Sequence, residues 1–418
     1  MQGMRQQAER LFRAGVAAAD PVRAVEAALA RRPLAPPPEG GVIHVIAVGK
    51  AARGMAAAAL PHVSASGRAL VVTNRENARP LEGAEVMAAG HPVPDEAGRA
   101  AARAVIALLG QAGARDRILA LISGGGSALL PAPVEGITLA EKAEVNRLLL
   151  GSGADIHAMN LVRQQLSRLK GGGFLALAAP AGVRALLISD VIGDDPRVIA
   201  SGLTAPPLGT RAEARALLER LGIREALPEA VRAHLERPEP PASPLPEADN
   251  EIIASNAASL AAMARSAGAD EGEAAHVRVF PEPLTGDVAD AARRIMDFAG
   301  SGPGICLFGG ETTVRLGGPG KGGRNQELAL RLALLAEAEG WRDYAFLSGG
   351  TDGRDGPTDA AGGLVDAATP ARIRAARIDP QAELAQNDSY HALKAAGDLL
   401  ITGPTGTNVA DLQVLIRG

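Results

Sequence analysis

Aromatic side chains are scarce in this chain: one Trp, two Tyr and six Phe among 418 residues. Its core must therefore be aliphatic, and it lacks the rings needed for base-stacking platforms. An excess of one charge sign is also missing. The net charge of −4 supplies no basic field for DNA or RNA, so nucleic acid is not an expected partner. The single cysteine, Cys306, excludes an intrachain disulfide and a cysteine-based zinc site. Its apolar neighbours, Ile305, Leu307 and Phe308, mark it as a small core residue. No uncharged apolar run approaches the ~18–20 residues that span a bilayer. Residues 1–10 lack the basic-then-apolar order of a signal peptide. We expect a cytoplasmic protein with no membrane partner. Neither G-x-S-x-G nor H-E-x-x-H occurs, which leaves hydrolase readings without support.

What remains is ordinary globular material, 47% hydrophobic and 22% charged, long enough for two or three domains at ~100–200 residues each. Residues 3–31 read as helical, with Pro21 opening a second helix. Residues 42–49 read as a strand buried on both faces. Short apolar runs at 69–73, 86–89, 118–122 and 185–189 alternate with helical patterns at 51–60, 97–109, 138–150 and 157–169. Strand–helix alternation predicts an α/β fold, a mainly parallel sheet with helices on both faces. Five prolines within 237–247 forbid helix or central strand and mark a linker. After it the strand pattern resumes at 251–254, 277–280, 305–308, 314–316, 344–347 and 399–401. Phe308–Val314 reads as a tight reversal, which would make the second sheet mixed. The expected division is 1–237, a linker at 238–249, and a smaller α/β domain at 250–418, with the first helix free to pack on either.

Four loops carry candidate chemistry, each just past a predicted strand, where open α/β sheets bind ligands. Lys50, at the start of a predicted helix, opposes the helix dipole; both make sense if they point at an anion. Gly49-Lys50-Ala51 is not a Walker A motif, because Ala51 stands where Ser or Thr is required. In Ser123-Gly124-Gly125-Gly126-Ser127, three glycines let backbone N–H groups curve round a phosphate or carboxylate, with Ser127 as a hydroxyl donor; a tight turn is the plainer reading. Arg324, before the helical pattern from Leu328, repeats the arrangement of Lys50 with a guanidinium able to grip an anion with two bonds. The stretch Gly318-x-Gly320-x-x-Gly323 matches a dinucleotide fingerprint only by chance, since no buried strand precedes it. The loop Ser348–Asp359 offers Asp352, Asp355 and Asp359, carboxylates suited to Mg²⁺ or to capping a turn. Asp190 stands at another strand end, where it could hold a metal, orient a hydroxyl or cap a helix. His91, in Gly90-His91-Pro92-Val93-Pro94, reads as a turn residue before a catalytic base.

Taken together, Val48–Ala51, Gly90–Pro94, Ile122–Leu129, Ser189–Asp194, Gly309–Val314, Gly323–Glu327 and Gly349–Gly353 resemble, in order and spacing, the class II glycerate kinases (glycerate 2-kinases) with a C-terminal MOFRL domain. The resemblance runs from about residue 5 to 416. It implies a Rossmann-like domain, a smaller mixed α/β domain, and an active site in the cleft between them. It also implies phosphorylation of D-glycerate at its 2-hydroxyl, using ATP and Mg²⁺, to give 2-phosphoglycerate. A catalytic lysine and arginine of the family match Lys50 and Arg324. Asn325 and Glu311, inside matching segments, join the Ser123–Ser127 loop as substrate- or phosphate-binding candidates. Asp190 and Asp352 are the metal candidates. The partners expected are glycerate and a nucleotide; the oligomeric state stays open, a homodimer included. The rival is an NAD(P)H-dependent hydroxypyruvate reductase, against which the missing dinucleotide fingerprint weighs. A non-catalytic anion sensor would explain the glycines but not the charged residues in both halves.

Overall fold

The computed structural model describes residues 2–239, 244–271, 276–300 and 302–418; residues 240–243 of the expected linker lie outside it. The chain divides into two compact units, Pro21–Ile253 and the residues up to Asp20 together with Ala254–Gly418.

The first unit is built on β1 (Ile43–Val48), β2 (Ser66–Asn74), β3 (Glu85–Ala89), β4 (Arg117–Ile122), β5 (Gly182–Ile188) and β6 (Ala248–Ala254). Their order is β3-β2-β1-β4-β5-β6, and β1 to β5 pair in parallel. The expected apolar runs fall in β1 to β5 because strands covered on both faces must be apolar on both. The helix Glu96–Leu109 lies over this sheet, burying Ala101, Ala102, Val105, Leu108 and Leu109. Asp95 caps it and accepts from the N–H groups of Gly98 and Gly90 at 2.9 Å each. A satellite core centred on Val145, Leu149, Val162 and Leu218 joins four further helices.

The second unit holds β7 (Val277–Val279), β8 (Leu284–Asp287), β9 (Gly304–Thr313), β10 (Tyr344–Gly350), β11 (Gly362–Asp366), β12 (Leu399–Leu400) and β13 (Asp411–Arg417). The order is β12-β11-β10-β13-β9-β7, with β8 also on β9. The sheet is mixed, but not through a reversal at Phe308–Val314. β9 runs on through Gly309 and Gly310, and the antiparallel pairs are β13 with β9 and β10, and β11 with β10 and β12. The two glycines answer to close approach: a Cβ on Gly309 would meet Asn256 Oδ1 at 2.0 Å, and one on Gly310 the backbone of Leu284 at 2.4 Å. Residues 314–316, expected as a strand, are irregular.

One placement is open in the sequence, and one element sits across the expected boundary. The helix Gln2–Ala18 belongs to the second unit, where Ala8, Leu11 and Phe12 pack with Leu347, Leu412 and Val414. The strand β6, beyond the prolines, joins the first sheet. Apolar pattern identifies such elements but not the sheet they complete. Cys306 is buried in β9 as expected.

Candidate functional site

In the first unit the strand order reverses direction between β1 and β4, the topological switch point of an open α/β sheet. Val48 at the end of β1 lies beside Ile122 at the end of β4, so the two loops that follow must meet. The Lys50 N–H donates to the Gly124 carbonyl at 2.9 Å, and the Ala51 N–H to Ser123 Oγ at 3.1 Å. Asn77 donates to the Lys50 carbonyl at 3.0 Å. Lys50 thus enters the helix Ala52–Ala59 with its backbone tied on two sides.

The glycines of this loop have internal reasons. Gly49 sits at φ 130°, and a Cβ there would meet Ser123 Oγ at 2.1 Å. A Cβ on Gly124 would meet the Asp190 carboxylate at 2.2 Å, and one on Gly126 the Ala200 Cβ at 2.9 Å. Gly125 has φ 85°, and a Cβ there would lie 3.1 Å from the His91 ring and 3.3 Å from Lys50 Cγ. The loop lets Asp190, at the end of β5, and His91, beyond β3, approach Lys50 through glycines. His91, read as a turn residue, is therefore part of this constellation. Ser127 faces elsewhere: its hydroxyl lies 2.8 Å from that of Ser201 and accepts from Lys170 at 2.8 Å. Lys170 and Ser201 were not among the expected site residues. A buried lysine inside Leu169-Lys170-Gly171-Gly172-Gly173 was the available signal.

In the second unit Arg324 opens the helix Arg324–Ala338. Its guanidinium forms a two-pronged pair with Asp411, Nε to Oδ2 at 2.6 Å and NH2 to Oδ1 at 3.0 Å, and reaches Glu311 at 2.9 Å. Asp411, at the start of β13, is 0% exposed, whereas Glu311 is 47% exposed. Burial works against the charge on Arg324, but the bonds and charge of Asp411 outweigh it and raise its pKa. Burial pushes the Asp411 carboxyl up, against the pull of Arg324.

The N-terminus of the same helix already carries an anion. Asp355 accepts from the N–H groups of Asn325 at 3.1 Å and Gln326 at 2.8 Å. Asn325, expected to bind substrate, is 1% exposed and accepts from Ser348 Oγ at 2.6 Å; it braces this network. Burial lifts the Asp355 carboxyl to about 6, although those two N–H groups oppose the shift. Asp352 caps its own turn, accepting from the Arg354 N–H at 3.0 Å. Among the described residues, one group of three or more His, Cys, Asp or Glu brings its ligand atoms within 4.8 Å: Glu383, Asp388 and His391. Neither Asp190 nor Asp352 belongs to it. No helix of the described residues is long and apolar enough to cross a membrane.

Two family models match the chain: a domain of unknown function, DUF4147, over residues 7–236, and the MOFRL family over 304–411. A D-glycerate 2-kinase from Thermotoga maritima is 41% identical over 382 residues, 88% of this chain and 89% of that protein. A putative hydroxypyruvate reductase from Agrobacterium vitis is 42% identical over 99% of this chain and 94% of its own. The crystal structure of a Thermotoga maritima glycerate kinase superposes with a TM-score of 0.88 at 38% identity, covering 100% of both chains.

Proposed function

The chain belongs to the glycerate kinase family that joins a DUF4147 region to a MOFRL region, and from this membership and the geometry above we propose that it phosphorylates D-glycerate at the 2-hydroxyl, using ATP and Mg²⁺, to give 2-phosphoglycerate in the cytoplasm. The observation that carries the proposal is the switch point. A lysine, a histidine and a carboxylate meet over a glycine loop at the carboxyl ends of β1, β4 and β5.

Phosphoryl transfer asks a protein chiefly for positioning and charge neutralisation. Lys50 adds a cation at a helix start, where anionic oxygens are already favoured. The two-pronged Asp411 pair fixes the plane of Arg324. The exposed Glu311 carboxylate is the partner that a phosphate would replace on the guanidinium, leaving Asp411 in place. The Asp190 carboxylate packs against Gly124 and would suit a Mg²⁺ ion, which takes one or two carboxylates beside substrate phosphates; Asp352, in the second unit, is a separate candidate. Such an ion supplies neutralisation of phosphate charge. His91, whose ring lies beside Gly125, is our candidate to accept a proton from a substrate hydroxyl.

The similarity to a putative hydroxypyruvate reductase favours a second reading. Against it, β1 leads into Gly49-Lys50, and the space above Gly49 is filled by Ser123, with no dinucleotide fingerprint. One assay separates them. ATP consumption dependent on glycerate supports the kinase; NAD(P)H oxidation with hydroxypyruvate and no ATP use overturns it.

A further inference from the structure

Behind the glycine loop lies a buried polar chain that the reaction does not visibly use. Lys170 Nζ donates to the Ser127 carbonyl at 2.9 Å and to Ser127 Oγ at 2.8 Å. Ser127 Oγ and Ser201 Oγ are 2.8 Å apart, and Ser201 Oγ donates to Asn160 Oδ1 at 2.7 Å. A hydroxyl has one hydrogen. That of Ser201 goes to Asn160, so the hydrogen between the serines comes from Ser127. The chain is directional, Lys170 to Ser127 to Ser201 to Asn160. Ser127 consequently has no hydrogen for a ligand, and the expectation of an outward hydroxyl donor is replaced by an inward one.

The far end of this chain is costly to hold. Ala200 and Ser201 adopt φ of 48° and 62° without being glycine, a conformation that persists only where surroundings impose it. The surroundings are specific. Gln164 Nε2 donates to the carbonyls of Arg197 and Ser201 at 2.9 and 3.2 Å. The N–H groups of Gly171 and Gly172 donate to the carbonyls of Ser201 and Gly202 at 3.1 and 2.9 Å. Ala200 occupies the space that a Cβ on Gly126 would need. Three segments, 123–129, 167–173 and 199–202, are knitted together around Lys170, which is 4% exposed. Burial, with Lys142 and Arg163 nearby, favours the neutral amine of Lys170. A neutral amine still carries the two N–H bonds that Ser127 receives.

We propose that Lys170 is a positioning residue of the anion site: through Ser127 it holds the glycine loop, from the protein interior, in the shape that receives the phosphate or carboxylate oxygens of one substrate. This rests on the kinase reading for the identity of the substrates. Gly125 meets Lys50 and His91, while Ser127, two residues on, meets Lys170. The loop is thus held at both ends of one short turn, and slack at Ser127 would be transmitted to Gly125.

The test uses the full-length protein and calorimetric titration of ATP and of D-glycerate, separately, into wild type, Lys170→Met and Ser201→Ala, with folding followed by circular dichroism. Lys170→Met leaves the Ser127 carbonyl and hydroxyl without their donor. It should weaken one of the two ligands by about 10–100-fold, the scale of a lost hydrogen bond to a buried partner, and leave the other within about twofold. The ligand that weakens identifies which anion the loop holds. Ser201→Ala should weaken the same ligand by a smaller factor. Unchanged binding of both ligands overturns the proposal, and so does equal weakening of both, which would be general damage. If Lys170→Met does not fold, Ser201→Ala decides on the same criteria. Wild type that binds both ligands without transferring phosphate overturns the kinase reading, while the variants still decide the role of Lys170. Wild type that binds neither overturns both.

Discussion

Replacing Arg324 by Ala removes the cation facing Asp411, a carboxylate with 0% exposure. Breaking a buried pair from one side costs roughly 3–5 kcal/mol, because the remaining charge is left in a poor solvent. The Arg324 side chain is 34% exposed, so water already screens part of the pair and about 2–3 kcal/mol is the better figure. For a unit of this size that lowers Tm by roughly 4–12 °C. Turnover should fall by roughly 10²–10³-fold, as when one preorganised charge stabiliser is lost. The two effects separate in the double variant Arg324→Ala/Asp411→Asn, which has no stranded charge. It should recover most of the lost stability and none of the activity. Thermal unfolding by circular dichroism, beside an ATP- and glycerate-dependent assay, reads both. If Arg324→Ala melts like the wild type, the Asp411 pair is not a buried ion pair of consequence. If the double variant turns over normally, Arg324 does not stabilise the reaction.

Three further outcomes follow from the same geometry. Lys50→Ala should lower kcat by roughly 10²–10³-fold without unfolding the protein; near-normal turnover of the purified variant would remove Lys50 from the mechanism. Gly124→Ala places a methyl 2.2 Å from the Asp190 carboxylate, so Asp190 must move, and glycerate-dependent ATP consumption should fall at least tenfold on the order of one misplaced positioning group; unchanged kinetics would show that Asp190 has no fixed role. Asp355 has its folded-state pKa raised to about 6 by burial, so between about pH 4 and 6 the folded protein binds more protons than the unfolded chain, and this carboxyl makes stability fall as pH rises through that window. Urea unfolding of Asp355→Asn at several pH values should show that slope reduced relative to wild type; an identical slope would contradict it.

The first sheet was legible because its strands are buried on both faces, so β1 and β4 carry the buried apolar runs Val45–Val48 and Ile118–Ile122. The second was less so. β8 reads Leu-Thr-Gly-Asp and β11 Gly-Gly-Leu-Val-Asp, and neither carries enough side chain to announce a strand. Gly309-Gly310 looked like a turn because glycine marks both reversals and close approach, and only the neighbours Asn256 and Leu284 distinguish them. Lys50, Gly124 to Gly126 and Arg324 were visible as polar groups at strand ends or helix starts. Their partners were not. Asp411 is 87 residues from Arg324, and Lys170 is 43 from Ser127; local pattern carries no such pairing. The glycines, which the sequence allows as room for a ligand or as a tight turn, also make room for Asp190, Ser123 and Ala200.

The most direct measurement is the product formed from ATP, Mg²⁺ and D-glycerate by the purified protein, read with enolase as coupling enzyme. A signal with enolase alone is the expected result if 2-phosphoglycerate is the product. A signal that appears only when a phosphoglycerate mutase is added would show phosphorylation at the 3-hydroxyl and contradict the assigned position. No ATP use, with NAD(P)H oxidised in the presence of hydroxypyruvate, would contradict the kinase itself.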